Sequence, residues 1–219
     1  VLGVNDEIIS DDIIIDNASC TTNGIAPVVK VLNQGFGINK GYVVTVHSVT
    51  DKQEVLDGPN TKTPRLGKSG QANIIPASTS AAKAVGEVIP ELKGKLDGIA
   101  MRVPTSDASI VGLYAYLDSQ VTEEEVNQAL LKASRGSLKG ILGYTRVNED
   151  PVSSQIIGRP ESSIVDHKLT QVMGDNLVIV WAWYDNEFGY SSRLIDLAQH
   201  RRLWKKSRTR KSKPTASRK

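Results

Sequence analysis

The sequence predicts an α+β fold: a mixed, largely antiparallel sheet with helices on one face. Three observations carry that expectation. Short β-branched runs recur along the chain, amphipathic helical stretches are few, and the two do not alternate as regularly as a doubly wound parallel sheet requires. A chain of 219 residues, 39% of them hydrophobic, is long enough to bury a substantial core. No apolar run approaches the roughly 20 residues needed to cross a bilayer. The opening VLGVNDEIIS lacks the basic start and apolar centre of a signal peptide, so a soluble, cytoplasmic protein with no membrane partner is expected.

The elements follow in order. Residues 1 to 16 hold two short apolar runs, VLGV and DDIIID, separated by polar NDE, and read as strand remnants. From Asn23 to Gly37 the apolar residues Ile25, Val28, Val29 and Leu32 fall at helical spacing, and Gly35 and Gly37 supply a stop. GYVVTVHSVT, residues 41 to 50, should be a buried strand. The polar stretch from Asp51 to Gln71, rich in Gly, Pro, Lys and Thr, is expected to be a loop, and a loop that long inside a compact domain is usually functional. A second helix is expected in ASTSAAKAVGEVIPEL, with Val85, Val88, Ile89 and Leu92 on one face. A third follows the capping box of Thr122 and Glu125, ahead of Val126, Leu130 and Ala133. Strand-like runs lie at 97 to 104, 108 to 117, 163 to 173 and 176 to 184, and nothing repeats.

The net charge of +3 conceals an asymmetry. Residues 201 to 219 hold ten of the 27 Lys and Arg and none of the 24 acidic residues, which leaves 17 basic against 24 acidic side chains, or −7, for residues 1 to 200. Nucleic acid or another polyanion could therefore be bound only through that terminus, which is otherwise expected to be solvated and disordered. The single cysteine, Cys20, excludes an intramolecular disulfide, and His47, His167 and His200 show no zinc-ligand spacing, so no metal site is expected.

Two residues stand out for chemistry. Cys20 sits just before a helix, where unpaired backbone N–H groups and the helix dipole favour a thiolate. Its flanks, NASCTTN, are small and hydroxyl-bearing, unlike those of a packed core cysteine, and Ser19, Thr21 and Thr22 have the character of anion ligands. His47 lies within a strand, where a histidine is ordinarily a satisfied core residue. It is, however, the only histidine in the first 160 residues, and Thr50 follows where the strand gives way to the loop. A cysteine and a histidine facing each other would give a nucleophile with an acid–base partner.

NASCTTN, TVHSVT, NIIPASTSAAKAVGEVIPELKGKLDGIAMRVPT, LKGILGYT and WYDNEFGYSSRLIDLA occur in that order, and together the chain resembles the catalytic domain of glyceraldehyde-3-phosphate dehydrogenases from about Val1 to His200. The resemblance implies that Cys20 is the nucleophile forming a thiohemiacetal with the aldehyde and then a thioester, and that His47 is its base. It implies that Thr50 and Arg102 bind the substrate phosphate. Ser19, Thr21, Thr79 and the adjacent Ser80 match positions receiving inorganic phosphate, and Arg65 belongs to the same anion-binding loop. Asn186 matches the residue contacting the nicotinamide amide of NAD or NADP, with Tyr190 close by. A homotetramer is implied, as is glycolysis or carbon fixation.

The implied organisation is a remnant of the NAD-binding domain at 1–19, a catalytic domain at 20–185, a C-terminal helix at 186–202 and a basic tail at 203–219. Most of the dinucleotide-binding domain is expected to be missing, since no G-x-G-x-x-G occurs. Gly67, Lys68 and Ser69 do not make a P-loop, because its leading glycine would fall on Lys62. Ser80 stands where the family has glycine. Two other readings remain at this point: an erythrose-4-phosphate dehydrogenase sharing the Cys–His pair, and a non-catalytic interaction module acting through the basic tail.

Overall fold

The computed structural model describes residues 1–9, 14–60 and 63–211, with side chains described as far as residue 200. Its elements are α1 (Cys20–Phe36), β1 (Ile38–Ser48), β2 (Ile75–Ser78), α2 (Ala81–Val88), β3 (Leu96–Val103), β4 (Ser109–Leu117), α3 (Glu123–Arg135), β5 (Leu142–Tyr144), α4 (Ser153–Ile156), β6 (Ser163–Val165), β7 (Gln171–Met173), β8 (Leu177–Tyr184) and α5 (Phe188–Lys211). One sheet runs in the order β2-β3-β1-β4-β8-β6-β5, with β7 added to β8. Only β1–β3 and β5–β6 pair in parallel, so the mixed, largely antiparallel sheet expected from the sequence is present.

Strand alternation decides which face is covered. Val111, Leu113 and Ala115 of β4 and Val178, Val180 and Ala182 of β8 turn toward the helices. There they meet Ile25, Val28, Val29 and Leu32 of α1, Val85 of α2, and Val126 and Leu130 of α3 in one continuous core. Each such buried Val, Leu or Ile contributes about 1.5–3 kcal/mol relative to exposure. The opposite face carries Tyr42, Tyr114, Tyr116, Trp181 and Trp183, and Tyr42 and Tyr116 are exposed. Gly112 is what lets Trp181 lie flat there, since a Cβ at that position would come 2.8 Å from the indole ring. The four-residue α4 lies on this side, its Ile156 packing on Ile164 and Trp183.

α1 begins and ends by clear local chemistry. The Ser19 side chain accepts from Thr22 N–H as the N-cap. At the other end Gly37 takes φ +72°, and the Asn33 side chain accepts from Ile38 N–H, so the chain reverses directly into β1. The capping box on α3 is present as expected, with Thr122 and Glu125 exchanging bonds.

Two expectations are corrected. Residues 1–9 form turns and a short 3-10 helix at Asp6–Ile8 rather than strands, and 14–19 have no regular structure; residues 10–13 lie outside the described residues. The reason is a lack of neighbours: Lys30 of α1 takes up the carbonyls of Gly3 and Val4, and Val4 joins the core, so the segment clasps the helix layer instead of pairing with the sheet. The last helix does not stop near 202 but continues to Lys211, in keeping with the helix propensity of Leu, Lys and Arg. Residues 212–219 of the expected tail lie outside the described residues.

Candidate active site

The register of the sheet assembles the site. β1 and β3 pair so that His47 lies opposite Arg102, and α1 starts at the same end of the sheet with Cys20 as its first residue. Cys20 Sγ lies 3.5 Å from His47 Nε2. On the other side of the imidazole, Nδ1 is 2.8 Å from the Ser48 carbonyl oxygen and 2.6 Å from Arg102 Nη1, while Nη1 also donates to Ser48 O at 3.2 Å.

The approach to Cys20 is strained and held from several sides. Ala18 has φ +58°, a left-handed conformation that costs a non-glycine residue about 1 kcal/mol or more. Its N–H donates to the Asp16 carboxylate, its carbonyl accepts from the Tyr190 hydroxyl, and Asn23 Nδ2 donates to Asn17 O and Ser19 O. Behind the pair, Tyr184 is buried with its ring edge-on to His47 at 5.9 Å. Its hydroxyl lies 2.9 Å from Thr21 Oγ1 on α1 and 2.9 Å from Thr45 Oγ1 on β1, tying together the two elements that carry Cys20 and His47.

Burial dominates the electrostatics. It pushes the Cys20 thiol up, against smaller downward pulls from Thr21 hydrogen bonds and the Arg102 charge. His47 is pulled down to about 4, first by burial and then by the Arg102 guanidinium. Burial thus opposes charge on both side chains, against the pull of the helix N-terminus on the thiol.

Beyond the geometry, the C-terminal domain model of glyceraldehyde 3-phosphate dehydrogenase matches residues 19–186. The chain belongs to the glyceraldehyde-3-phosphate dehydrogenase family. It is 49% identical over 201 residues to the cytosolic enzyme of Antirrhinum majus, covering 91% of this chain and 59% of that one. It is 51% identical over 202 residues to the cytosolic enzyme of Chlamydomonas reinhardtii, covering 91% and 59%. To glyceraldehyde-3-phosphate dehydrogenase 2 of Mucor circinelloides f. lusitanicus it is 52% identical over 198 residues, covering 90% and 58%. The chain therefore spans about three fifths of the length of the curated relatives it matches.

Within this glyceraldehyde-3-phosphate dehydrogenase domain the residues singled out from sequence divide into two groups. Cys20, His47 and Arg102 meet directly, and Ser19 caps α1 beside them. Asn186 joins through the end of β1: its Oδ1 accepts from Ser48 and Ser109 hydroxyls at 2.9 and 2.8 Å, and its Nδ2 donates to Glu187. Tyr190 reaches the cluster only through Ala18. Thr50 caps a turn, its hydroxyl and N–H donating to Gln53 Oε1. Thr79 and the exposed Ser80 open α2, just past Ser78, which pairs with Ile99, three residues along β3 from Arg102. Arg65 is exposed on the 3-10 turn Pro64–Gly67 of the long loop. The Thr21 hydroxyl is buried, 2.9 Å from the Tyr184 hydroxyl.

Sequence reasoning passed over Tyr184, Thr45, Ser48 and Ser109. Only Tyr184 left a signal, an aromatic at the end of the last strand beside Asn186. Among the described residues no group of three or more His, Cys, Asp or Glu is placed to hold a metal, and no helix is long and apolar enough to cross a membrane.

The depressed His47 makes stability pH-dependent in a defined window. Between its ordinary value of 6.5 and about 4 the unfolded chain binds a proton on this residue that the folded chain refuses. Stability should fall as pH drops through that window, by about 3 kcal/mol at most. Denaturant titrations between pH 8 and 4 should show the slope reduced in His47→Gln; an identical slope in variant and wild type would mean that His47 is not held neutral.

Proposed function

We propose that the chain carries the catalytic half of a phosphorylating aldehyde dehydrogenase, oxidising glyceraldehyde 3-phosphate to 1,3-bisphosphoglycerate through a Cys20 thioester. The observation that supports it most is the Cys20–His47 pair with a guanidinium beside it. In the first step Sγ attacks the aldehyde carbon while the thiol proton passes to His47 Nε2, and the imidazolium returns it to the new alkoxide, giving a thiohemiacetal. In the second, His47 takes the hydroxyl proton as hydride leaves the same carbon, giving the thioester. Inorganic phosphate then attacks the thioester carbon and Sγ departs. Arg102 and Thr50 anchor the substrate phosphate. Ser19, Thr79, Ser80 and the N–H groups opening α1 and α2 receive the inorganic phosphate, with Arg65 adding charge from the loop.

The chemistry of the donors fits a nicotinamide cofactor in one respect. The two serines saturate Asn186 Oδ1 and so fix its amide, leaving an Nδ2 hydrogen beyond the bond to Glu187 for the nicotinamide carboxamide. NAD or NADP, when bound, supplies the hydride acceptor. Its pyrophosphate has no glycine-rich turn in this sequence to receive it. The test is NAD-dependent oxidation of glyceraldehyde 3-phosphate with inorganic phosphate, using Cys20→Ala as control; oxidation that persists in the control would overturn the assignment. The relatives named as cytosolic support a cytosolic location.

The uncovered sheet face supports self-association into the homotetramer the family implies. Exposed Tyr42 and Tyr116, with Trp181 and Tyr114 packed edge-on at 5.9 Å, form an aromatic patch on the sheet face away from the main helix layer. Tyr42→Asp with Tyr116→Asp should lower the mass found by sedimentation velocity without loss of helix content. An unchanged mass would move the interface elsewhere.

A further inference from the structure

The three carbonyls that lead into Cys20 are each held by a donor. Asn23 Nδ2 donates to Asn17 O at 2.7 Å and to Ser19 O at 2.9 Å, so those two are tied to α1. The carbonyl between them, that of Ala18, accepts from the Tyr190 hydroxyl at 2.9 Å, across 172 positions of sequence. Ala18 is also the residue with φ +58°, a conformation that alanine, unlike glycine, holds only against a steric penalty. We propose that Tyr190 is a positioning residue for the nucleophile: its hydroxyl props the Ala18 peptide in the left-handed conformation and thereby fixes how the chain enters α1 at Cys20. The inference rests on the reading of Cys20 as the nucleophile.

A strained backbone persists where its surroundings over-determine it. Locally, the Ala18 N–H donates to the exposed Asp16 carboxylate two residues away. Tyr190 adds a reference from outside the loop, because the head of α5 is anchored. Buried Asp185 accepts from Glu187 and Phe188 N–H through Oδ1 and from Gly158 N–H through Oδ2, and buried Arg193 donates to Gly140 O further along the helix. Burial, and then the charges of Asp16 and Cys20, raise the Tyr190 phenol, so it remains a donor at neutral pH. Its one hydrogen is committed to Ala18 O.

Ala18 sets the direction in which Ser19 leaves. Ser19 is the N-cap of α1, extended at φ −91° and ψ 163°, and its side chain accepts from Thr22 N–H. If Ala18 relaxes to negative φ, the Ala18–Ser19 peptide turns and Ser19 loses its capping geometry. The first turn, with Cys20 in it, then loosens from its place 3.5 Å from His47 Nε2. A helix N-terminus favours a thiolate, so loosening raises the pH at which Cys20 reacts. Asn186 stands four residues before Tyr190. The helix head that carries the amide read as the nicotinamide contact therefore also holds the nucleophile, which keeps the sulfur-bound carbon and the hydride acceptor in one frame.

The test compares the pH profile of Cys20 alkylation by iodoacetamide in wild type, in Tyr190→Phe, and in Tyr190→Phe combined with Ala18→Gly, each checked for native helix content by circular dichroism. Phenylalanine keeps the ring and removes only the hydroxyl. The titratable groups acting on Cys20 and Tyr190 are the same in all three chains: His47 on β1, Arg102 on β3, Tyr184 on β8, Glu187 ahead of α5 and Asp16 in the loop. Tyr190→Phe should slow alkylation at neutral pH by about 3- to 10-fold, the scale of one net hydrogen bond, and move the profile to higher pH. Ala18→Gly should restore most of the rate in the double variant, because glycine takes a positive φ without the penalty that the strut offsets. A Tyr190→Phe profile that overlays wild type would overturn the proposal. So would a slowing that Ala18→Gly leaves untouched, since lost packing or a lost cofactor contact is not repaired at residue 18. Alkylation needs neither substrate nor cofactor, and the oxidation assay with its Cys20→Ala control decides the reaction separately, so an active enzyme with an unshifted profile defeats the strut alone.

Discussion

Cys20→Ser should abolish acyl transfer, with a loss on the order of 10⁴- to 10⁶-fold, as removal of a covalent nucleophile generally does. The serine hydroxyl occupies nearly the same volume and can still sit at the first position of α1, so the fold should survive. What fails is acidity. His47, held down to about 4 by burial and Arg102, is a weak base. A thiol lies within its reach during attack on an aldehyde, whereas an alcohol, several units less acidic, does not. The same substitution removes the good leaving group that phosphate must displace from the thioester. Hydrolysis of an acyl phosphate by purified chain provides a readout that needs no cofactor. Serine activity within tenfold of wild type would mean that the acyl group is not carried on Cys20.

His47→Asn should cost less, about 10²- to 10⁴-fold, because a positioned acid–base group contributes on that scale. The two losses should not add. Once the thiol is gone the imidazole has nothing to deprotonate, and the double variant should resemble Cys20→Ser alone.

The pair was legible in the sequence because both residues break the pattern of their surroundings. Cys20 stands among hydroxyls where a core cysteine would have aliphatic neighbours, and His47 is the one titratable side chain in a run of β-branched residues. The sheet order could be anticipated only in kind. The alternating apolar runs announce strands, but the neighbours of β1, with β3 parallel on one side and β4 antiparallel on the other, follow from crossover connections that no local pattern encodes. The runs in residues 1–16 illustrate the opposite failure. Their composition suits a strand, yet a strand needs a partner edge, and Lys30 offers the Gly3 and Val4 carbonyls a closer one. The low hydrophobicity of the basic terminus points to a solvated, disordered segment, while Leu, Lys and Arg are good helix formers and carry α5 on to Lys211.

Tyr184 carries the second large expected effect. Its hydroxyl joins residues 163 and 139 positions away in the chain, which is why no spacing revealed it. Tyr184→Ala should destabilise the domain by about 3–5 kcal/mol, the usual cost of removing a fully buried aromatic and leaving a cavity. Tyr184→Phe separates packing from hydrogen bonding. It keeps the ring against Gly24, where a Cβ would come 3.1 Å from the aromatic carbons, and edge-on to His47. It strips the Thr21 hydroxyl of its phenol partner and leaves Thr45 only its 3.2 Å bond to the Ile110 carbonyl, costing about 1–3 kcal/mol. If Tyr184 positions the pair, Tyr184→Phe should also slow Cys20 alkylation and shift its pH profile, since α1 and β1 lose the bridge that fixes their separation. Denaturant unfolding gives the first quantity and the rate of iodoacetamide reaction against pH gives the second. A variant that loses stability while its alkylation profile overlays wild type would reduce Tyr184 to a core residue. One that keeps most of its stability and shifts the profile would show the phenol holding the distance between Sγ and Nε2.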